Sequence, residues 1–212
     1  MFRVETILSR YFRVVKFVFS RYYVWMKTNR IYNSVERLAE LLKVGSRQAG
    51  AAHGLQPVQL EVLNYLSSCN KYSDTPMAVT EYLGQTKGTV SQTIKTLEKK
   101  ELVKKITDEK DKRISHVVVT QLGSEILKEH LPTHMFVNAC STLSDPEQEQ
   151  ILSALTHLLT SVIKSNNMKT FGACYSCRYN IKHDDGSYYC DLVKEPLRDT
   201  DVLLICREHK DL

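Results

Sequence analysis

The chain has 212 residues, of which 42% are hydrophobic and 25% are charged, with only 8 Gly and 5 Pro. This composition is typical of a globular protein and excludes disordered and collagen-like chains. The formal net charge is +5, but residues 1–25 hold five basic residues against one acidic residue, so most of the excess lies there. A nucleic-acid partner must therefore be argued from local patches of charge.

Residues 1–27 form a basic, aromatic extension. Basic residues recur in it every few positions, so no apolar run is long enough to span a bilayer or to form the centre of a secretory leader. Because Met26 opens a segment that resembles an ordinary start, residues 1–25 are either part of the functional protein or a dispensable or misassigned extension. Without a leader, the six cysteines are expected to stay reduced in the cytoplasm, where metal or redox chemistry is commoner than structural disulfides.

Two helices are predicted before residue 70. Apolar residues recur at helical spacing from Tyr32 to Val44, with charged residues between them, which predicts an amphipathic helix. This helix lies in the predicted dimerisation region, residues 28–56. The next helix is expected to run from Pro57, a residue that the first helical turn tolerates, to about Ser68.

A pair of short helices follows. The first is expected to begin at Pro76 and to end at Gly84, because glycine is the usual residue just beyond a helix C-terminus. Thr86 is expected to cap the second, whose sequence KGTVSQTIKTLEKK has one apolar stripe. Two short helices joined by a tight turn that contains glycine are typical of a helix-turn-helix.

Two β-branched segments, Leu102 to Thr107 and Ile114 to Thr120, predict an antiparallel ribbon. Six consecutive charged residues, DEKDKR, lie between them at the expected tip. A charge run by itself usually marks a solvated turn, but directly after a helix-turn-helix it indicates the wing of a winged helix. Asp108 and Asp111 are expected to orient the basic side chains of the tip through ion pairs.

The second short helix and the wing contain the residues predicted to contact DNA. With the apolar stripe facing inward, the opposite side of that helix is polar. Gln92 is the candidate for reading a base, since an amide can pair with adenine N6 and N7, whereas the lysines are expected to neutralise phosphates. The predicted DNA-contacting residues are Thr86, Lys87, Thr89, Ser91, Gln92, Lys95, Lys99, Lys110, Lys112 and Arg113.

Two further helical segments follow the ribbon, in residues 121–168. The first is expected to be interrupted or bent at Pro132, and the second to open at Ser144 or Asp145 with Pro146 in its first turn. The second carries more apolar surface than a small winged helix can cover, which predicts a dimer interface. Its apolar face consists of Ile151, Leu152, Leu155, Leu158, Leu159 and Val162.

The order of these elements resembles the MarR family of bacterial transcriptional regulators. The resemblance covers about residues 28–165 and is carried by TPMAVTEYLGQTKGTVSQTIKTLEKKELVKKITDEKDKRISHVVVTQLG. The family's wing pattern D-x-R-D-x-R appears with Lys110 in place of the first arginine, and Glu101 stands where the family often has glycine, a change that is expected to alter the turn after the recognition helix. The resemblance implies a homodimer on a pseudo-palindromic double-stranded DNA operator. It also implies repression that a ligand or thiol oxidation relieves.

The last segment, residues 169–212, is rich in cysteine. Cys174 and Cys177 form a CxxC pair, and Cys190 and Cys206 follow within the same 33 residues. Asp185 and Gly186 are expected to form a hairpin that returns Cys190 towards the pair. These four thiolates are expected to form a zinc or an iron–sulfur site, with four unligated thiols as the alternative, and the spacing leaves both metals open. His183 and His209 are alternative ligands that are more often exposed or packed imidazoles, and Cys69 and Cys140 are expected to be small buried hydrophobes unless an exposed thiol senses oxidants.

The predicted fold is mainly α with a small β-hairpin. It consists of a winged helix-turn-helix domain at residues 57–120, helical dimerisation regions on both sides and a short metal-binding tail. An enzyme is not expected, because the sequence has no phosphate-binding glycine loop, HExxH motif or nucleophile–base set. The alternatives are a thiol-redox protein that uses Cys174 and Cys177, or a winged helix that binds protein instead of DNA.

Overall fold

A computed structural model describes the backbone of residues 2–210 and the side chains of residues 25–210. The interpretation of residues 1–25 as an extension therefore concerns residues whose side chains, except that of Trp25, lie outside the described part. The chain divides into two compact units, Met1–Val44 and Gly45–Leu212. Within the described part, we find no helix with both the length and the apolar character needed to cross a membrane.

The first unit contains most of helix α1, Phe2–Ala51, which begins well before the predicted start at Tyr32. None of the side chains from residue 25 to residue 44 is buried within this structure. The predicted amphipathic face is therefore uncovered. Its exposed apolar residues are Tyr32, Val35, Leu38 and Leu42.

In the second unit, three helices form the centre of the fold. They are α2, Pro57–Ser68, α3, Pro76–Leu83, and α4, Lys87–Lys99, which confirms the bounds predicted from prolines, caps and glycine. Gly84 has a φ of 61°, the left-handed conformation that lets the chain turn sharply between α3 and α4. The helix-turn-helix is thus built from local signals.

The core lies between α2, α4 and the ribbon. Leu63, Ile94, Leu97 and Val117 are completely buried in it, and Tyr65 is 1% exposed. Burying one large apolar side chain contributes roughly 1.5–3 kcal/mol to folding, so this cluster holds α4 in a fixed orientation on the core.

The ribbon consists of β1, Val103–Thr107, and β2, Ser115–Val119, which pair antiparallel. It is followed by α5, Gln121–His130, α6, His134–Cys140, and α7, Asp145–Ser165. The interruption at Pro132 is as predicted, since it separates α5 from α6. The predicted cap at Ser144 is also present, and its backbone N–H donates to Glu147 at 2.8 Å in a capping box. Helix α7 buries none of its side chains.

The tail folds into two small sheets. Strand β3, Gly172–Ala173, pairs with β7, Ile205–Cys206, while β4, Asn180–Lys182, β5, Tyr188–Cys190, and β6, Glu195–Leu197, form a three-stranded sheet. The hairpin between β4 and β5 confirms the turn predicted at Gly186, whose φ is 86°. It sets Cys190 opposite Asn180.

The turn after α4 differs from the sequence expectation. The sequence predicts that Glu101 alters a turn in which glycine is common, yet Glu101 adopts a φ of 60°, the conformation that glycine favours. The backbone N–H of Leu102 still donates to the Leu97 carbonyl at 3.0 Å, so the helix ends as it would with glycine. The substitution is accommodated as strain in one residue, because the core holds α4 and β1 in place.

Replacement of this strained residue is expected to stabilise the fold. Glu101→Gly should raise the free energy of unfolding by roughly 0.5–1 kcal/mol, since the left-handed conformation costs an L-residue about 1–2 kcal/mol and the greater freedom of glycine in the unfolded chain offsets part of the gain. Urea unfolding followed by circular dichroism measures the change. Glu101→Ala, which keeps the Cβ atom and removes the rest of the side chain, should give no gain, and an equal gain in both variants would contradict this explanation.

Candidate functional site

Helix α4 presents a polar face that its own caps and core contacts hold in position. The Thr86 hydroxyl oxygen accepts from the Thr89 backbone N–H at 3.1 Å and caps the helix. Val90, Ile94 and Leu97 are buried, so the opposite side of the helix faces solvent. A rigid helix with an uncovered polar side can enter a groove without rearrangement.

Each residue predicted to contact DNA is exposed. Those on α4 and its cap are Thr86, Lys87, Thr89, Ser91, Gln92, Lys95 and Lys99, and those at the ribbon tip are Lys110, Lys112 and Arg113.

Backbone hydrogen bonds hold the ribbon tip. The Asp108 carboxylate accepts from the backbone N–H groups of Lys110 and Asp111 at 2.8 and 2.6 Å, and Asp111 accepts from the backbone N–H of Arg113 at 2.9 Å. The predicted ion pairs between these aspartates and the basic side chains of the tip are therefore replaced by turns in which each carboxylate accepts from a nearby backbone N–H. The basic side chains of the tip are exposed, that of Lys110 to 89%, and the Lys112 ammonium group donates to the Asp108 carbonyl at 3.2 Å.

His116 links the tip to the body of the domain. Its Nδ1 atom lies at hydrogen-bond distance from Asp74 before α3, and its Nε2 atom is 3.1 Å from Asp108 at the tip. The hydrogen bond with Asp74 is the main cause that raises the pKa of His116, and Asp108 adds to it. Burial raises the pKa of Asp74, although its hydrogen bond with His116 acts in the opposite direction.

The wing is therefore expected to lose stability as the pH rises. A folded-state pKa above the ordinary value of about 6.5 means that protonated His116 contributes fully below about pH 6.5, and that this contribution is lost as the pH rises through the raised pKa. The decline is measured as the free energy of urea unfolding across the neutral range. His116→Gln should remove this decline and His157→Gln should keep it, whereas an unchanged decline in His116→Gln would refute the assignment.

The four cysteines of the tail surround one cavity. Cys174, Cys177, Cys190 and Cys206 all line it, the first two are buried, and all four thiols are free. Cys174 lies in a single helical turn, and its carbonyl accepts from the Cys177 backbone N–H at 3.0 Å. This turn places both thiols on one side. Hairpin β4–β5 and strand β7 bring the other two to the same cavity.

The chemistry of this cavity suits a bound group. Burial raises the pKa of Cys174 to about 11, so in the absence of a metal this thiol is protonated at neutral pH and metal binding would release its proton. The buried Asn180 Oδ1 atom on the cavity wall has no hydrogen-bond partner among the described residues. Across the part of the chain that the structure describes, no three of these sulfurs lie within 4.8 Å of one another. Four thiolates around one zinc are about 3.8 Å apart, so zinc would draw them inward.

The other predicted ligands and thiols lie apart from this cavity. His209 is 5% exposed, and its two ring nitrogens are 3.0 Å from the Ser176 hydroxyl and 3.2 Å from the Thr170 hydroxyl, as for a packed imidazole. His183 is exposed. Cys69 is buried, and burial raises the pKa of its thiol to about 12, which opposes oxidation, while Cys140 is half-buried.

The tail packs against the winged helix, and no pattern in the sequence indicates this contact. Glu195 accepts from Tyr72 at 2.5 Å and from Lys71 at 2.7 Å, and the Lys71 hydrogen bond is the main cause that lowers the pKa of Glu195 to about 2. It also lies 3.5 Å from the Lys110 ammonium group at the wing tip. Glu195 thus joins the cysteine-rich sheet to a residue predicted to contact DNA.

A second contact fastens the tail to α3. Arg207, next to Cys206, donates two hydrogen bonds of 2.6 and 2.9 Å to Glu81, and this pairing is the main cause that lowers the pKa of Glu81 to about 2. The backbone N–H of Arg207 also donates to the Ser73 hydroxyl at 2.8 Å. The side chains of Glu81 and Arg207 are 126 positions apart, and no local pattern in the sequence marks such a pair.

Comparison with known proteins agrees with this geometry. Residues 53–114 match the sequence profile of the MarR family. The structure of the MepR–DNA complex from Staphylococcus aureus is similar at 25% identity, with a TM-score of 0.50 over 59% of this chain and 93% of that one. A MarR transcriptional regulator from Methanosarcina mazei Go1 has the same fold at 20% identity, with a TM-score of 0.55 over 63% and 96% of the two chains.

The curated protein sequences contain no match to this chain. The profile covers α2 to the end of the wing tip, which are the elements that form and support the exposed face of α4. Residues 53–114 therefore match the MarR family, and the chain shares the fold of these solved regulators.

Proposed function

We propose that this chain is a homodimeric DNA-binding repressor whose two α4 helices enter successive major grooves of an operator. The observation that carries the proposal is the uncovered polar face of α4, which is capped at Thr86, fixed by buried Ile94 and Leu97, and adjacent to a basic wing tip. The similar S. aureus MepR structure is a complex with DNA, which supports the same partner here.

The residues of this surface have different roles. Gln92 lies on the exposed side of α4, where its amide is suited to pair with an adenine edge and to discriminate between bases by about 1–3 kcal/mol. Lys87, Lys95 and Lys99 neutralise phosphates, so they set the affinity and its dependence on salt. Lys110, Lys112 and Arg113 at the tip contact the backbone beside the major groove or the minor groove.

A second copy of the chain is proposed to cover the apolar face of α7. Leu152 and Leu159 are each 60% exposed, and Ile151, Leu155 and Val162 are also exposed on the same helix. A row of this kind, in a helix that buries no side chain, is typical of a subunit interface. Two-fold pairing would present two α4 helices, one for each half of a pseudo-palindromic operator.

The cysteine cavity is proposed to hold zinc or an iron–sulfur cluster that regulates DNA binding. The free thiols of Cys174, Cys177, Cys190 and Cys206 could provide the ligands. The hydrogen bonds and ion pairs of Glu195 and Arg207 join the tail to the winged helix. Gain or loss of the bound group would therefore act through Glu195 on Lys110 and through Arg207 on α3.

Binding to DNA fragments tests the proposed function. The full chain, prepared without oxygen, is titrated with a duplex from the region upstream of its own coding sequence and with a scrambled duplex of the same composition. At moderate salt the upstream duplex should bind at least about 10³-fold more tightly, the lower end of the range for specific regulators. Equal affinity for the two duplexes would overturn specific regulation and would favour a winged helix that binds protein.

A further inference from the structure

We propose that His53, His130 and Glu129 form a second metal site, suited to zinc or a similar divalent transition metal and separate from the cysteine cavity. The Nε2 atoms of the two histidines lie 2.9 Å apart, and the Nε2 atom of His130 is 3.8 Å from a carboxylate oxygen of Glu129. Among the described residues, these form the one set of three His, Cys, Asp or Glu side chains whose ligand atoms lie within 4.8 Å of one another.

The distances match the coordination geometry of zinc. Zinc binds imidazole nitrogen at about 2.0–2.1 Å, so two nitrogens in a tetrahedral site are about 3.3 Å apart. The observed 2.9 Å separation requires only a small movement of the two rings, whose planes are inclined by 64°. Both histidines would bind through Nε2 in the tautomer that carries its proton on Nδ1.

Both histidines sit on firmly held backbone. His53 lies in the turn between α1 and α2, where its N–H donates to the Gly50 carbonyl at 3.1 Å and its carbonyl accepts from Lys100 at 3.2 Å. His130 ends α5, and the preceding turn is anchored by Leu127, which is 6% exposed in the core. Ligands on anchored elements lose little conformational freedom when a metal binds, which favours affinity.

The ligand set also indicates the class of metal. Two imidazoles and one carboxylate are a known zinc set that leaves a fourth position for water or another ligand. Glu129 is 69% exposed and His130 15% exposed, so a metal could enter from the Glu129 side. The site would join the turn before α2 to the end of α5, and Lys100, which follows recognition helix α4, contacts that same turn.

Titration of the metal-free full chain with Co²⁺ tests this site. Four-coordinate Co²⁺ absorbs in the visible range, and thiolate ligands add an intense near-ultraviolet band, so the two sites have different spectra. Wild-type protein should bind Co²⁺ at two sites, of which one gives the thiolate band and the other does not. In the Cys174→Ser/Cys177→Ser variant, only the Co²⁺ that gives no thiolate band should remain bound. Failure of the cysteine site and failure of this site therefore give different spectra.

Variants of the ligands assign this binding. In the cysteine-substituted background, His53→Asn and Glu129→Gln should each weaken the remaining Co²⁺ affinity by at least about tenfold, which is the smallest effect usual for a group that supports a metal site. His157→Asn, an exposed histidine on α7, should leave it unchanged. Glu129→Gln alters only an exposed side chain, so its effect cannot come from misfolding. Absence of this binding, or unchanged affinity in either ligand variant, overturns the proposal.

Discussion

Charge reversal at Lys87, Lys95 and Arg113 is expected to lower the affinity for the upstream duplex by at least about 10³-fold, because each phosphate left without its cation no longer releases counterions and each added carboxylate repels the DNA backbone. The three side chains are exposed, so the fold should be retained. The slope of log K against log salt should become less negative by about 0.9 for each phosphate that the protein ceases to neutralise. Fluorescence anisotropy at several salt concentrations measures both quantities.

The matched control reverses three exposed lysines outside α4 and the wing, Lys128, Lys164 and Lys182. It changes the net charge of the chain by the same amount, and it should change the affinity only by the weak long-range effect that salt screens. Equal losses in the two triple variants would show that total charge, not the face of α4, determines binding. Unchanged affinity in the first variant would favour an interaction module.

Replacement of Cys174 and Cys177 by serine is expected to abolish metal binding at the cysteine cavity, because two of four ligands are removed. Structural zinc contributes about 10–16 kcal/mol of apparent free energy in small domains, so the tail should also open. Elemental analysis and the absorption spectrum of protein purified without oxygen measure the metal, and limited proteolysis measures the opening. Zinc leaves the protein colourless, whereas an iron–sulfur cluster absorbs visible light.

Cys140→Ser is the control for the cysteine variant, since Cys140 lies on α6 and not at the cavity. It should keep the full metal content and the tail's resistance to protease. A wild-type chain that, after addition of zinc or of iron and sulfide, holds no more metal than the Cys174→Ser/Cys177→Ser variant would refute the cysteine site. In that event the two thiols Cys174 and Cys177 could serve a redox role.

Much of the winged helix is predictable because short-range chemistry determines it. Pro57 and Pro76 open helices, Thr86 caps α4, and Gly84 provides the left-handed turn, each within a few residues of the element it controls. The spacing of Val90 and its apolar neighbours then decides which face of α4 is exposed. These signals require no knowledge of distant contacts.

The remaining features depend on contacts between residues far apart in the chain. Glu81 and Arg207 are 126 positions apart, and His53 and His130 are 77 apart, so only the folded chain brings them together. Glu101 shows a different limit, since packing on both sides of a turn holds it in a conformation that its own preference opposes. The start of α1 is not predictable from periodicity, because aromatic and basic residues leave no clean apolar stripe there.

Two α4 helices are proposed to read the major groove of one operator. Methylation interference on the upstream duplex tests it most directly, because a methyl group on guanine N7 lies on the major-groove floor and blocks an approaching helix. We expect interference in two clusters, about one helical turn apart and related by two-fold symmetry. Binding that tolerates methylation at every guanine, or a single cluster without a symmetric partner, would contradict the claim.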